Sequence, residues 1–352
     1  MRILFLTSGP DVPSSRFRIM QYVPYLEQRG HHCVVAPSRP PKYRGWPWLG
    51  NRLSEIPRAA FRTLDWLRAA QSRFDVVVIE RELFSSNSTF FERRFRRTAP
   101  ALVLDVDDGI FLRASAKFQT LAQLADSVIA GNASIADYAR QYNSAVVTIP
   151  TSLDLARYVF RPPAPVTDRP VVLGWTGTAG NYSQLAAIAE ALRGLPDDRH
   201  FELRVIAERE PPPELTSLAN IDVQFRRWKP ESEIDDLRAF DVGLMPLPDD
   251  EWSRYKCGLK VLQYLALGIP AVASPVGVNT EIITHRQNGL LAAPPAERHE
   301  TITQLAENHD LCCRLADAGR RVVEASYSVQ KNATLLEETL QSLARPGPAK
   351  LV

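Results

Sequence analysis

The sequence predicts an α/β protein built from two doubly wound parallel-sheet domains, and three observations carry that prediction. Short β-rich runs alternate with turn residues and helical stretches in two successive series, the pattern of parallel sheets covered by helices. A proline-rich interval separates the two series. The 352 residues, 45% of them apolar, are also more than one core usually serves, so two domains are expected.

In the first series the expected strands are 3–7, 33–36, 76–80, 101–105, 127–130 and 146–149. Between the first two, residues 14–29 read as a helix that opens on capping serines, closes at Gly30 and is kinked or cut short by Pro24. Residues 150–170, with Pro162, Pro163 and Pro165, suit a stiff crossing between domains. The second series places strands at 171–174, 203–207, 221–225, 242–245, 271–274 and 289–291, and three helical segments run on to about 344. The resulting division is a first domain over 1–160, a second over 161–330, and a terminal helix over 331–352 that packs back on the first domain and ends in a frayed tail.

Charge narrows the classes. With 42 basic and 40 acidic residues the chain is no disordered polyelectrolyte and makes no whole-chain case for nucleic acid. Residues 1–160 nevertheless hold 21 basic and 14 acidic residues, so the first half is the basic half. Cys33, Cys257, Cys312 and Cys313 have neither metal-ligand spacing nor a disulfide framework, which suits reduced thiols in the cytoplasm. The opening apolar run is too short for a signal peptide, and no run approaches the roughly 18 residues of a membrane span.

Ligands of open parallel sheets gather beyond the carboxyl ends of strands. After the seventh strand comes Gly174-Trp175-Thr176-Gly177-Thr178-Ala179-Gly180, which is neither the dinucleotide fingerprint nor a phosphate-binding loop ending in Gly-Lys. Gly177 and Thr178 either bind a ligand here or form an ordinary strand-to-helix turn. Further on, Tyr255-Lys256-Cys257-Gly258-Leu259-Lys260 leads from a loop into a helix that starts near Gly258. A cation at that end loses roughly 0.3–1 kcal/mol against the helix dipole, and an anion would reverse the sign. Free amides near Cys257, Gly258 and Leu259 can hold phosphate oxygens while Lys256 and Lys260 neutralise them. The alternative is that both lysines bend into water.

The run from Gly243 to Leu291 contains Gly258-Leu259-x-x-Leu262, Ala266-x-Gly268-x-Pro270-x-Val272-Ala273-Ser274-x-x-Gly277 and Glu281-Ile282-Ile283. It resembles the donor-binding region of the retaining glycosyltransferases of family four, of the group-1 type. The resemblance implies the GT-B fold, with two facing Rossmann-like domains. It also implies transfer of a sugar from a UDP- or GDP-type sugar nucleotide to a hydroxyl acceptor, with no cofactor or metal. The expected roles are acceptor binding for the first domain, donor binding for the second, and work in cell-envelope polysaccharide or glycolipid assembly. Two other functions keep the same fold, a non-catalytic nucleotide-sugar-binding protein and a nucleotide-sugar epimerase.

The chain departs from the family pattern where two glutamates separated by seven residues are usual, because Tyr255 and Gln263 stand there. Gln263 can still exchange hydrogen bonds with ribose hydroxyls, whereas Tyr255 supplies no carboxylate, and an acid would have to come from Glu251, Asp250 or elsewhere. The usual Arg and Lys near Gly174–Gly180 are missing too, so countercharge for the diphosphate falls to Lys256, Lys260 and Arg254. The resemblance sets Arg227 and Trp228 beside the nucleobase, with a core role for Trp228 as the alternative. Glu281 either orients the donor sugar or caps a helix.

In the first domain, Asp105, Asp107 and Asp108 follow a buried strand, where they can orient acceptor hydroxyls, hold a divalent metal or cap a helix. Acceptor orientation is the choice that fits the resemblance. Gly9, Ser14, Arg16 and Arg18 follow the first strand and can touch acceptor or phosphate, although Ser14 and Ser15 are also explained as caps. Between 39 and 97 stand 13 basic and 6 acidic residues interleaved with Trp46, Trp48, Phe61, Trp66, Phe90, Phe91 and Phe95. This composition suits peripheral binding to an anionic membrane surface on its cytoplasmic side, or a solvated helix face with its aromatics in the core.

Overall fold

A computed structural model describes residues 1–43, 46, 50–186, 188–196, 199–216, 218 and 221–344. The described residues build two six-stranded sheets, all parallel, with helices on their faces. The first holds β1 (Arg2–Thr7), β2 (His32–Pro37), β3 (Val76–Glu80), β4 (Ala101–Val106), β5 (Ser127–Ala130) and β6 (Val146–Thr148). The second holds β7 (Val171–Thr176), β8 (Phe201–Ala207), β9 (Ile221–Arg227), β10 (Val242–Met245), β11 (Ala271–Ala273) and β12 (Leu290–Leu291). Every expected strand forms, its ends shifted by at most two residues.

Near-continuous apolar runs explain why these strands lie inside. Along β1, Leu4 and Leu6 enter one core while Ile3 and Phe5 enter the core on the opposite face, so period-two geometry buries both faces. Each such side chain contributes about 1.5–3 kcal/mol. In the second sheet Leu173, Trp175, Leu203 and Val205 point to one face and pack on helices that include Leu185 and Leu192.

Strand order locates the ligand-binding ends. The first sheet runs β2-β1-β3-β4-β5-β6 and the second β12-β11-β10-β7-β8-β9. Chain direction across the sheet reverses between β1 and β3 in the first, and between β7 and β10 in the second. Crevices open at the carboxyl ends of such reversals.

The chain divides into two compact units. One comprises Met1–Ser152, Tyr255–Cys257 and Val329–Val352, and the other Leu153–Arg254 and Gly258–Ser328. In the first unit the Val329–Ala344 helix adds Val329, Ala333, Leu336 and Leu340 to the core beneath β1 and β3. The tail expected to fray, from Arg345 on, lies outside the described residues.

Two local readings change. The segment read as one helix is a π-helical turn, Ser15–Met20, followed by an α-helix, Val23–Gln28, and Pro24 occupies the first turn of the second, where its missing N–H costs nothing. Ser14 has helical dihedrals and makes no cap bond, because its hydroxyl is engaged elsewhere. The aromatics of 39–97 split by position: Phe95 is core, Phe61, Trp66 and Phe91 are half-buried, and Phe90 is exposed. Trp46 is half-buried as well, and Trp48 lies outside the described residues.

Candidate functional site

At the carboxyl ends of β1, β3 and β4 the first unit gathers buried polar groups that answer one another. Glu80, the last residue of β3, is 1% exposed. It accepts hydrogen bonds from the hydroxyls of Ser14 and Ser15 and from the Ser8 amide at 3.0 Å. The serines therefore fasten the loop after β1 to the end of β3 in place of capping a helix. Gly9 is buried in that loop, and its amide donates to Ser15 Oγ at 3.3 Å. The Arg16 guanidinium lies 5.0 Å from the Phe17 ring.

Arg18 grips Asp105 with two parallel hydrogen bonds of 3.0 and 2.8 Å, and a third, of 2.7 Å, goes to the Ile149 carbonyl. Burial pulls the guanidinium toward neutrality, but the Asp105 carboxylate outweighs it and holds Arg18 charged. This buried pair joins the two residues through each other.

The acids after β4 meet Arg81, which follows β3 with a positive φ of 56°. Its Nε donates to Asp107 Oδ1 at 2.5 Å, and a second guanidinium nitrogen is 3.6 Å from Asp108. Burial would raise the Asp107 carboxyl, yet the charge and hydrogen bond of Arg81 hold it below the usual carboxylate range. Asp108 also receives its own neighbour's amide, Gly109 N, at 3.1 Å. Lys256 reaches Asp108 at 3.5 Å, and its carbonyl accepts from Asn132 Nδ2 at 3.0 Å. Beside it, the Cys257 thiol donates to the Asp107 carbonyl at 3.2 Å, and Tyr255 meets Phe111 edge-on at 4.6 Å. Among the described residues, no group of three or more His, Cys, Asp or Glu is arranged to hold a metal ion.

The second unit's crevice, at the ends of β7 and β10, is built differently. Gly177 follows β7, and a Cβ there would lie 2.6 Å from the Trp175 ring and 3.1 Å from Lys260 Cε, so only glycine lets these groups close up. The Lys260 ammonium sits 4.7 Å from the centre of the Trp175 ring. Thr178 is exposed, and its hydroxyl accepts from Asn181 Nδ2 at 2.9 Å. The helix expected near Gly258 spans Leu259–Leu267. Gly258 is its N-cap residue, with a left-handed φ of 66°, no side chain caps its amides, and no acid stands in its first turn. Leu259 and Lys260 are its first residues, so orphan amides and a lysine share one helix end.

Four further expectations are located. Gln263 is 2% exposed and donates to the Tyr158 hydroxyl at 3.0 Å. Arg227 ends β9, exposed, with Nε 3.4 Å from the Glu208 carbonyl. Trp228 is half-buried rather than core, because its indole N–H donates to Glu233 at 3.1 Å. Glu281 is exposed within the short Asn279–Ile282 helix.

Glu80, Arg81, Asn132, Glu208 and Asn279 escaped the sequence reading. Glu208 accepts from the Ala179 amide at 3.0 Å and so holds the turn after β7. Asn279 is fully buried, and its Oδ1 has no partner among the described residues. Glu80 and Glu208 could have been found by asking what stands last in, or just after, each strand bordering a reversal.

Residues 170–308 match the family described as Glycosyl transferases group 1. No curated protein matches the chain. Among solved structures, sucrose-phosphate synthase from Thermosynechococcus elongatus is similar, with a TM-score of 0.75 and 16% identity over 97% of this chain and 99% of that one. A glycosyltransferase from Rickettsia africae gives a TM-score of 0.70 and 12% identity over 98% and 99% of the two chains. Anabaena HepE in complex with UDP and glucose gives a TM-score of 0.69 and 17% identity over 97% and 100%. In a chain with the GT-B arrangement of two parallel-sheet units, residues 170–308 are thus a glycosyltransferase domain of group 1.

Proposed function

We propose that the protein is a retaining glycosyltransferase that moves a sugar from a UDP- or GDP-type sugar nucleotide to a hydroxyl acceptor. One observation carries this reading. The uncapped amino end of the Leu259–Leu267 helix, with Lys260 in its first turn, lies in the same unit as a Gly177 turn into which Trp175 and Lys260 pack. A diphosphate is the ligand for which that combination is favourable, because it accepts from orphan amides and offsets a lysine otherwise opposed to the dipole. The helix lies inside the stretch matched to group 1, and HepE, of similar fold, carries UDP and glucose.

In this reading the second unit holds the donor, with Gly177, Thr178 and the Gly258–Leu259 amides on the diphosphate and Arg227 and Trp228 toward the base. Gln263 and Glu281 serve ribose and sugar. The first unit presents the acceptor, whose hydroxyls Asp107 and Asp108 orient. The bond between the anomeric carbon and the diphosphate oxygen breaks, a bond from the acceptor oxygen to that carbon forms on the same face, and the departing diphosphate takes the acceptor proton. Lys260 supplies countercharge to the leaving group. Assembly of envelope polysaccharide or glycolipid is the role proposed for the product.

Thermal shift against UDP- and GDP-sugars, followed by an assay for released nucleoside diphosphate, tests the reading. Stabilisation by one of them and slow release are expected, with Lys260→Ala lowering turnover by about 10²–10³. If no such nucleotide sugar stabilises the protein, the reading fails. Tyr255 and Gln263, where the family has acids, favour a second reading, a nucleotide-sugar-binding protein without transfer; tight binding with no release of diphosphate is its signature.

A further inference from the structure

The Glu55–Gln71 helix of the first unit is inside out. It buries Arg58, Arg62, Asp65 and Ala69. Its outer side shows Ile56 (70% exposed), Leu64 (47%) and Leu67 (42%), with Ala60 also exposed between them and Leu53 (55%) just before the helix. Positions 53, 56, 60, 64 and 67 repeat every three or four residues, so at 3.6 residues per turn they form one apolar stripe.

The buried arginines hold the helix in this orientation. Arg62 donates to the Ala36 and Thr7 carbonyls at 2.8 and 2.7 Å, and Arg58 to the Pro41 and Lys42 carbonyls at 3.1 Å. These carbonyls lie at or beyond the ends of β1 and β2. Turning the helix to hide its leucines would strip them of donors and leave guanidinium groups unpaired, so the stripe cannot be tucked away.

Charge identifies what lies against it. Arg68, with a side chain 72% exposed, stands one turn from Leu64. The neighbouring Phe90–Phe95 helix adds exposed Arg93 and exposed Phe90, and Arg94 stacks 4.3 Å from the Phe90 ring and 4.6 Å from Trp66. Of the acids on these two helices, Asp65 and Glu92 are buried, and Glu55 pairs with Arg58. An apolar helix stripe rimmed by arginines with aromatic flanks fits the boundary between headgroups and acyl chains of an anionic bilayer.

We infer that the Glu55–Gln71 helix lies in the surface of an anionic membrane, its stripe among the acyl chains and Arg68 and Arg93 on the headgroups. This does not depend on the sugar-transfer reading. The test is co-sedimentation of the full chain with vesicles of phosphatidylcholine alone or mixed with phosphatidylglycerol. The wild-type chain is expected to pellet with the mixed vesicles at about 0.1 M salt and much less at about 1 M. Ile56→Ser/Leu64→Ser/Leu67→Ser should bind at least about tenfold more weakly, and Arg68→Gln/Arg93→Gln should bind more weakly with a flatter salt dependence. Circular dichroism checks that the variants fold, and Ile56→Ser alone, the most exposed position, serves if the triple variant does not. No pelleting of wild type at low salt, equal pelleting of the apolar variant, or equal binding to neutral vesicles overturns the inference. So does self-association by light scattering that the apolar substitutions abolish in a chain that ignores vesicles, which would assign the stripe to a second copy.

Discussion

The strand ends of the two units solve opposite problems. In the first, a dense set of charges is neutralised internally: Arg18 by Asp105, Asp107 and Asp108 by Arg81, and Glu80 by two serines and an amide. In the second, the crevice at β7 and β10 is lined by glycine, tryptophan, threonine and a helix end, with Lys260 over an aromatic face. Internal pairing makes a stiff polar platform that asks for no ionic ligand. A helix end with orphan amides and a lysine is completed by an anion from outside.

Substitutions can break this contrast. The largest effect is expected from Arg18→Ala, which leaves Asp105 charged and unpaired; stability should fall by about 3–5 kcal/mol, read by urea unfolding of the first unit. Lys260→Ala, by comparison, should leave stability within about 0.5 kcal/mol, and an equal loss in both variants would erase the difference between the units. Next, Gly177→Val places a branched side chain against the Trp175 ring and should weaken donor binding by about tenfold or more while the first unit unfolds unchanged; titration calorimetry reads it.

The acid limb sharpens the comparison further. Asp107 has its folded-state pKa depressed, so its contribution is fully present above the unfolded value of about 4 and is lost as pH falls below it. Melting of the first unit should therefore drop below about pH 4, and Arg81→Gln should flatten that dependence. The smallest effect concerns Cys257, whose thiol burial pushes up to about 12 with help from Asp107. At pH 8 its thiolate fraction is about 10⁻⁴, so alkylation of the native protein should be far slower than after denaturation. Fast native labelling of Cys257 would show that its packing in the first unit opens readily.

Much of this architecture is legible in the residues. Val76–Glu80, Ser127–Ala130 and Val242–Met245 are strands where apolar runs stop at turn residues, and Gly258 starts its helix where a residue without a Cβ was needed. The carboxylates at 105–108 were visible as a cluster, but not their use. Arg81 stands beyond the end of a different strand, and nothing local says that it turns toward Asp107. Trp228 was weighed as stacking or core and is neither, because Glu233 supplies its hydrogen bond.

The sequence alone determined the twelve strands, the two series and the helix end at Gly258, since each depends on side-chain period, backbone freedom and turn chemistry within a few residues. Only the tertiary structure decided which charges neutralise which, and that a helix rich in leucine would bury its arginines and show its apolar side. Those outcomes depend on carbonyls and carboxylates brought close by strands far apart in the chain, whose demand for donors outweighs the local preference of an amphipathic helix to hide its apolar face.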